Sequence, residues 1–224
     1  IIFESRYSAN KYRDLLGDPV GSSSIVSNGI DFSSIPVKAA AGSRSSYKIG
    51  CVGLYRFEKG QDLLITALGN CLDSLRQNQE LTCDFIGSGN DAYHQNLIDK
   101  VDAFGIQDIV RFFKVDDARK IFNEYDLIIV PSRSESFGLV AIEACYAGCQ
   151  VLVSNVGGLK DLACDISVIS TFESENVDEL TNKILNLLSD PRISGVDRKN
   201  LIDTYDIKVS VLNYLNTISM VCSK

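Results

Sequence analysis

The chain has 224 residues, of which 45% are hydrophobic, enough for one large domain or for a domain with part of another. Its formal net charge of −7 argues against nucleic acid as a partner, because binding to phosphate backbones needs a basic surface. A single histidine excludes a histidine-rich metal site, and no apolar run approaches the about 20 residues of a membrane span. We therefore expect a soluble cytoplasmic protein whose seven cysteines are buried free thiols.

The first part of the chain, residues 1–31, carries signals for a strand end, a helix and a turn. Residues 1–3 are apolar and predict the end of a strand, and Ser5 is a typical N-cap of a helix that continues to about Leu16. A glycine and a proline within residues 17–19 end that helix, and a later Ser-Asn-Gly-Ile-Asp sequence indicates a turn. Because the chain starts inside an apolar run without a methionine, we expect the polypeptide to begin further upstream.

Residues 32–46 are rich in serine, alanine, glycine and proline, which predicts a linker or an exposed loop at a domain boundary. After this boundary, predicted strands alternate with predicted helices. The alternation favours an α/β domain over residues 47–205, with a Rossmann-like parallel sheet, helices on both faces and a ligand crevice beyond the carboxyl ends of the strands. Residues 206–224 predict a final helix outside this domain.

Residues 47–53 form the first predicted strand of the domain, and apolar residues at helical spacing predict a helix over residues 61–77. The loop between them carries Arg56 and Lys59. A cation beside the start of a helix concentrates positive charge at one point, which suits an anion. The alternative interpretation is that both side chains are solvated loop charges.

Residues 81–86 form the next predicted strand, and residues 87–92 match the pattern G-x-G-x-x-A between a strand and a helix. An NAD-type dinucleotide-binding dehydrogenase domain therefore stays open as an alternative. That fingerprint normally follows the first strand of its domain, and no acidic residue clearly ends the next predicted strand, residues 109–113. His94 lies early in the following helix and is predicted to be a surface side chain rather than a base.

The apolar run Leu127–Val130 predicts a buried strand, and Pro131 with the serines after it ends this strand in a turn. We expect a helix to begin near Ser136, with Gly138 in its first turn and with N–H groups that have no intrahelical partner. These N–H groups belong to Phe137, Leu139 and Val140. Such a helix start is an anion site, because the N–H groups point at the ligand and the helix dipole favours negative charge.

Two carboxylates bracket this helix start. Glu135 precedes the helix and Glu143 lies eight residues later, which at ~1.5 Å per residue separates their backbones by about 12 Å. A nucleotide-diphosphate sugar has this reach, with its diphosphate on the helix start, sugar hydroxyls toward Glu135 and ribose hydroxyls toward Glu143; neither carboxylate would need to titrate. The alternative is an ordinary amphipathic helix with Glu143 solvated. Three glycine-bearing segments, residues 53–60, 87–89 and 135–143, all follow strands and are expected to face one crevice.

Several stretches resemble the retaining GT-B glycosyltransferases of family 4. Residues 135–148, E-S-F-G-L-V-A-I-E-A-C-Y-A-G, are similar to the E-x7-E segment of that family, and this segment is specific. V-G-L-Y-R-F-E-K-G is similar to the family pattern V-G-R-L-x-x-E-K-G, with Leu54 in place of the arginine. F-I-G-S-G resembles the family's V-G-x-G loop, and V-S-N-G-I-D resembles the crossover segment between its two domains.

The resemblance implies that the chain binds a nucleotide-diphosphate sugar, with a UDP-sugar favoured. Glu135 is then the catalytic residue, the backbone of Lys114 and Val115 meets the nucleobase, and Arg56 stands in for the missing arginine. The donor-binding residues so implied are Arg56, Lys59, Gly87, Ser88, Lys114, Val115, Phe137, Gly138, Leu139, Val140 and Glu143.

The same resemblance implies the C-terminal half of a two-domain GT-B enzyme that needs no metal or other cofactor. Residues 1–31 would end the N-terminal half, residues 206–224 would pack back on it, and that half would bind a glycan or lipid-linked acceptor. The chain alone would then transfer no sugar. The enzyme is expected in polysaccharide or glycoconjugate biosynthesis, in the cytoplasm or peripherally at the inner face of the membrane. A third interpretation is a nucleotide-sugar-binding module without catalysis.

Overall fold

The computed structural model of the chain describes residues 1–38, 46–72, 80–189 and 196–222. Its strands are β1 (Ile2–Phe3), β2 (Ser24–Ile25), β3 (Ser46–Val52), β4 (Glu80–Ile86), β5 (Val110–Phe113), β6 (Leu127–Val130), β7 (Gln150–Ser154) and β8 (Ile169–Phe172). Its α-helices are α1 (Arg6–Leu16), α2 (Gln61–Asn70), α3 (Asp91–Phe104), α4 (Leu139–Ala147), α5 (Gly157–Asp165), α6 (Val177–Ser189), α7 (Arg198–Tyr205) and α8 (Ile207–Cys222). Short 3-10 helices cover Phe32–Ser34, Phe57–Lys59 and Ala118–Glu124.

Six of these strands form one parallel sheet in the order β5-β4-β3-β6-β7-β8. Both faces of the sheet are buried: in β6, Leu127 and Ile129 belong to one apolar cluster, and Ile128 and Val130 to the other. Helices α2, α3 and α6 contribute to the first cluster, whereas α4, α5 and α7 contribute to the second. The predicted α/β fold, a Rossmann-like parallel sheet with helices on both faces, is confirmed.

The strands that follow β3 in the chain, β4 and β5, lie on one side of it, and β6, β7 and β8 lie on the other, so the strand order reverses between β3 and β6. Ligands bind at such switch points in parallel α/β sheets. The loops after these two strands touch there. Gly60 has a φ of 66°, and a Cβ on it would lie 1.9 Å from the carbonyl oxygen of Pro131, so this position needs glycine. The loop after β4 joins them, because Tyr55 N donates to Ser88 O at 3.0 Å. The three glycine-bearing loops therefore meet at one edge of the sheet, where the sequence predicts the ligand crevice.

Helix α1 has the N-cap predicted for it, because the side chain of Ser5 accepts a hydrogen bond from Ser8 N. The helix packs on α5, where Tyr7 N donates to a carboxylate oxygen of Asp161 at 2.9 Å. Residues 1–31 thus contact the domain that carries the large sheet. Their assignment to the end of a separate domain stays a prediction.

The stretch predicted as a linker is in part packed on the domain. Phe32 and Ile35 are 3% and 5% exposed and belong to the second apolar cluster, and Lys38 pairs with Asp126. The prediction of an exposed loop is therefore wrong at Phe32 and Ile35, whose apolar side chains flank two serines and are buried against the sheet domain, whereas Val37 is 44% exposed. Residues 39–45 lie outside the described residues, as do residues 73–79 of the helix predicted over 61–77.

Most of the cysteines are buried free thiols, as predicted. Cys51 in β3 is an example, since burial raises the pKa of its thiol to about 12 and keeps it protonated at neutral pH. Cys164 departs from the prediction because it is exposed. The side chain of Cys222 lies outside the described part of the chain.

Helix α8 is attached to the domain at its start, where Ser210 Oγ donates to Ser27 O at 2.7 Å. Further along the helix, apolar side chains such as Val211, Leu212 and Leu215 are exposed. The packing of this helix on another domain stays a prediction. Across the described residues, no helix has both the length and the apolar character that crossing a membrane requires.

Candidate active site

Helix α4 begins at Leu139, three residues later than predicted. Its N-cap, Gly138, has a φ of 100°, which a right-handed helix cannot contain. The segment before the helix is bound by a residue distant in sequence, because Ser5 Oγ donates to Ser136 O at 2.7 Å. Glu135 therefore precedes the helix in irregular chain, and the predicted axial separation of the two carboxylates, about 12 Å, does not apply.

The start of α4 presents free N–H groups to the crevice end of the sheet. No described residue accepts a hydrogen bond from the N–H groups of Gly138, Leu139 or Val140. With the dipole of α4 behind them, these groups suit an anion, and the anion site itself stays a prediction. Phe137 adds no side chain to it, since its ring is 6% exposed and packs near Tyr205, with ring centroids 6.2 Å apart.

Lys59 and Glu135 form an ion pair across the switch point. Lys59 ends the short turn after β3, Glu135 follows β6, and Nζ lies 2.7 Å from Oε2. Their side chains are 32% and 18% exposed, so solvent screens the pair only in part. The resemblance implies that Lys59 contacts the diphosphate of the donor and that Glu135 contacts its sugar. The structure brings both to one point of the crevice.

Arg56 does not join this pair. It is the N-cap residue of the Phe57–Lys59 turn and is exposed, and its guanidinium forms no hydrogen bond or ion pair with the described residues. Leu54, at the position where the resemblance expects an arginine, is 52% exposed. The role of Arg56 as a substitute for that arginine stays a prediction.

Glu143 is half-buried on α4 beside a pair of opposite charges. Burial raises its pKa from 4.5 to about 7, opposed by Arg119 and assisted by Asp117. Asp117 and Arg119 pair at 2.8 Å at the start of the Ala118–Glu124 helix, which packs on α4. The interpretation of Glu143 as a solvated side chain is therefore wrong. The expectation that neither carboxylate needs to titrate in order to bind the ligand stays a prediction, and the raised pKa leaves Glu143 partly protonated near neutral pH.

The remaining donor-binding candidates lie on the β4–β5 side of the crevice. Gly87 and Ser88 follow β4, and Gly87 N donates to Phe113 O at 2.9 Å. Lys114 and Val115 follow β5; the lysine is exposed and the valine packs against the second apolar cluster. These positions are compatible with the predicted cleft lining and nucleobase contact, which stay predictions.

The glycines of residues 87–92 serve loop packing. Gly89 pairs with Tyr55 in an isolated parallel bridge, and a Cβ on Gly89 would lie 2.4 Å from the carbonyl oxygen of Tyr55. A neighbouring loop, rather than a pyrophosphate, therefore explains the missing side chain. Lys114 follows the end of β5, so an acidic residue for a ribose is absent from that position. Neither observation supports the NAD-type alternative.

His94 is not the surface side chain that the sequence predicts. Its ring is half-buried, 4.7 Å from the ring of Tyr55 and 5.1 Å from the ring of Phe112. Its Nε2 has no hydrogen-bond partner among the described residues, so none of them orients it as a base. The residue packs α3 against the loop after β3.

Arg133 is a charged residue of the site that the sequence analysis missed. It lies two residues before Glu135, its side chain is 13% exposed, and it pairs with Asp62 at 2.7 Å. The sequence signal was its position within P-S-R-S-E, next to the candidate carboxylate. Its partner lies 71 residues away along the chain, which no local pattern reveals.

Taken together, these groups suit an anion joined to a hydroxylated ligand. Lys59 and the N–H groups of α4 supply positive charge, and Glu135 and Glu143 supply acceptors for hydroxyl groups. Within the described residues there is no group of three or more histidine, cysteine, aspartate or glutamate side chains that could hold a metal ion. The prediction that the enzyme needs no metal stays a prediction.

The family model described as Glycosyl transferases group 1 matches residues 38–204. The lipopolysaccharide core biosynthesis mannosyltransferase LpcC of Rhizobium leguminosarum bv. viciae is 29% identical over 169 residues, which cover 73% of this chain and 47% of the relative. A D-inositol 3-phosphate glycosyltransferase of Salinispora tropica is 36% identical over 131 residues, which cover 53% of this chain and 26% of the relative. The chain thus spans less than half the length of these curated relatives.

Solved structures agree on the fold. Anabaena Alr3699/HepE in complex with UDP and glucose superposes with a TM-score of 0.83 at 20% identity, covering 97% of this chain and 62% of that chain. The C-terminal domain of a group 1 family protein, LpcC from Francisella tularensis, gives a TM-score of 0.65 at 23% identity, covering 79% of this chain and 97% of that chain. The structural neighbours are GT-B glycosyltransferases, and the match of the family model from residue 38 to the end of α7 shows that this chain belongs to the group 1 glycosyl transferases.

Proposed function

We propose that the chain is the donor-binding part of a retaining glycosyltransferase of family 4 type, a hexosyltransferase that uses a nucleotide-diphosphate sugar. The observation that carries this proposal is the Lys59–Glu135 ion pair beside the free N–H groups of α4. A cation, a carboxylate and a helix start at one point suit a diphosphate joined to a sugar. The UDP and glucose bound in the Anabaena neighbour support a UDP-sugar as the donor.

Each charged group then has one role. The diphosphate lies on the N–H groups at the start of α4, with Lys59 against its oxygens. Glu135 accepts hydrogen bonds from sugar hydroxyls and is the catalytic residue, and ionised Glu143 accepts them from the ribose. The backbone of Lys114 and Val115 contacts the nucleobase.

The catalytic effect in this proposal is electrostatic. Negative charge builds up on the diphosphate as the sugar–phosphate bond breaks. Lys59 and the α4 N–H groups are already oriented toward that charge, so they stabilise the transition state more than the bound donor. This contribution comes from the chain itself, which is why we expect donor binding without added metal.

The whole polypeptide would complete the reaction with an N-terminal half that binds the acceptor. A glycan or lipid-linked acceptor in polysaccharide or glycoconjugate biosynthesis fits the name of the Rhizobium relative, a lipopolysaccharide core biosynthesis enzyme. We place such an enzyme in the cytoplasm or peripherally at the inner face of the membrane, where lipid-linked acceptors are reached.

Isothermal titration calorimetry with UDP, GDP and the matching nucleosides, in the presence of a chelator, tests donor binding. We expect at least one diphosphate to bind, and its nucleoside to bind more weakly. Failure of both diphosphates at millimolar concentration on a folded sample would overturn the proposal. Binding without sugar transfer by the complete polypeptide would instead favour a nucleotide-sugar-binding module, and tighter binding of NAD would favour the dehydrogenase alternative.

A further inference from the structure

Arg133 connects the loops that carry Lys59 and Glu135. Its guanidinium binds Asp62 through two parallel hydrogen bonds of 2.7 and 2.8 Å and donates to Phe57 O at 2.8 Å. The guanidinium also lies 3.9 Å from the centre of the Phe57 ring, and its Nε pairs with Glu175. A side chain with this many partners has a single orientation, because each partner fixes a different edge or face of the planar fork.

The backbone of Arg133 reaches the same turn. Arg133 N donates to Glu58 O at 2.8 Å, while its side chain holds the carbonyl of Phe57. Lys59 directly follows Glu58 in the chain, and Glu135 lies two residues after Arg133. The turn that carries the cation is therefore attached directly to the loop that carries the carboxylate.

The network extends to the other loops of the crevice through Asp62. This carboxylate, in the first turn of α2, also accepts a hydrogen bond from Tyr93 OH at 2.8 Å, and Tyr93 belongs to α3 behind the loop after β4. Burial raises the pKa of Asp62, but the hydrogen bonds from Arg133 and Tyr93 outweigh it and hold the pKa below its ordinary value. Asp62 therefore stays ionised and available to Arg133 at neutral pH.

A strained residue completes the network after β8. Glu175 has a φ of 66° and is the only described residue other than glycine with a positive φ. This left-handed conformation is strained for a residue with a side chain, and it persists where surrounding contacts determine it. Its ion pair with Arg133 is such a contact, and it ties the loop after β8 to the loop after β6.

We propose that Arg133 is a positioning residue of the donor site, which holds the Lys59 turn so that Lys59 Nζ meets the donor diphosphate beside Glu135. This inference rests on the proposed function. A lysine at position 133 could not replace the arginine, because one ammonium group cannot span both oxygens of Asp62 and the carbonyl of Phe57. Arg133 itself touches no donor atom and acts through Lys59.

A thermodynamic cycle on the chain separates this role from general stability. UDP and uridine binding are measured by calorimetry for the unmodified chain, Arg133→Lys, Lys59→Ala and the double variant. We expect Arg133→Lys to weaken UDP by about tenfold or more, the loss of one charge-assisted hydrogen bond, and to leave uridine within about twofold. In the Lys59→Ala background the same substitution should change UDP affinity by less than about twofold, because its effect passes through Lys59.

Arg111→Lys is the matched control, since Arg111 forms a similar two-bond pair with the buried Asp84 away from the crevice. It should leave UDP affinity unchanged. An additive effect of Arg133→Lys in the two backgrounds, or equal weakening of UDP and uridine, would overturn the proposal. If Arg133→Lys fails to fold, Asp62→Asn takes its place in the cycle, because it removes the charge that Arg133 pairs with. The same changes in UDP and uridine affinity are expected of it, and the same results would overturn the proposal.

A crystal structure of ligand-free Arg133→Lys keeps the test independent of the donor. We expect the Phe57–Lys59 turn to move and the Lys59–Glu135 ion pair to be lost. An intact pair would overturn the proposal. If neither UDP nor GDP binds the unmodified chain, the proposed function fails on that result, and this structure still decides the role of Arg133.

Discussion

Replacing Glu143 with glutamine should stabilise the fold at alkaline pH and have little effect in acid. Burial raises the pKa of Glu143 from 4.5 to about 7, against Arg119 and with the help of Asp117. Between these two values the folded chain binds a proton that the unfolded chain has released. The contribution of Glu143 to the free energy of unfolding is therefore fully present below pH 4.5 and is lost as the pH rises through about 7. Glutamine keeps the shape of the side chain and removes this dependence.

The size of the effect follows from the shift of the pKa. One pKa unit corresponds to about 1.4 kcal/mol, so a rise from 4.5 to about 7 gives an upper bound of about 3.5 kcal/mol. Glu143 is only half-buried, and solvent screening reduces the value, so we expect about 1–2 kcal/mol. For a chain of this length that difference corresponds to roughly 2–8 °C in Tm.

Urea unfolding of the unmodified chain and Glu143→Gln, from about pH 5.5 to about pH 8.5, measures this difference. The lower limit stays above the sequence pI of about 4.8, where the chain is least soluble. Glu80→Gln is the matched control, because Glu80 is an exposed glutamate at the start of β4. Its difference from the unmodified chain should not grow with pH.

A stability difference between Glu143→Gln and the unmodified chain that stays constant across this range would refute the reasoning. So would a glutamine variant that is less stable than the unmodified chain at the alkaline end. Either result would mean that the carboxylate is well solvated or paired in the folded state, and that its local environment does not oppose ionisation.

Three further predictions concern the donor. Lys59→Ala should weaken UDP binding by ~1.5–3 kcal/mol and leave uridine binding nearly unchanged. Adding Glu135→Gln should recover part of the loss, because the carboxylate left unpaired repels the diphosphate. Equal weakening of both ligands in calorimetry would indicate a disturbed fold. Glu143→Ala should weaken the binding of UDP and UDP-glucose alike, by ~1–3 kcal/mol, whereas Glu135→Ala should weaken only the binding of UDP-glucose. If Glu135→Ala weakens UDP binding as much as Glu143→Ala does, the proposed orientation of the donor is contradicted. In an assay of sugar release and transfer from UDP-glucose, the chain alone should show no turnover, because the proposed site supplies donor contacts only. Measurable turnover would contradict the assignment of the acceptor site to another domain.

The sequence by itself determined the fold class and the position of the crevice. Apolar runs such as Leu127–Val130 and helical spacing over α2 are local patterns, and their alternation leaves few arrangements other than a parallel sheet covered on both faces. Because loops after parallel strands meet at one edge, the glycines near Lys59 and Glu135 were sufficient to predict a shared crevice.

Only the tertiary structure decided how the charges in that crevice are arranged. Lys59 and Glu135 are 76 residues apart, and Arg133 finds Asp62 at a separation of 71 residues, so neither pairing appears in any local pattern. The start of α4 differs from the predicted one for the same reason, since Ser5, far away in sequence, binds the carbonyl of Ser136. The pKa of Glu143 likewise depends on burial beneath a separate segment, and ionisation responds to the surrounding solvent and charge rather than to sequence neighbours.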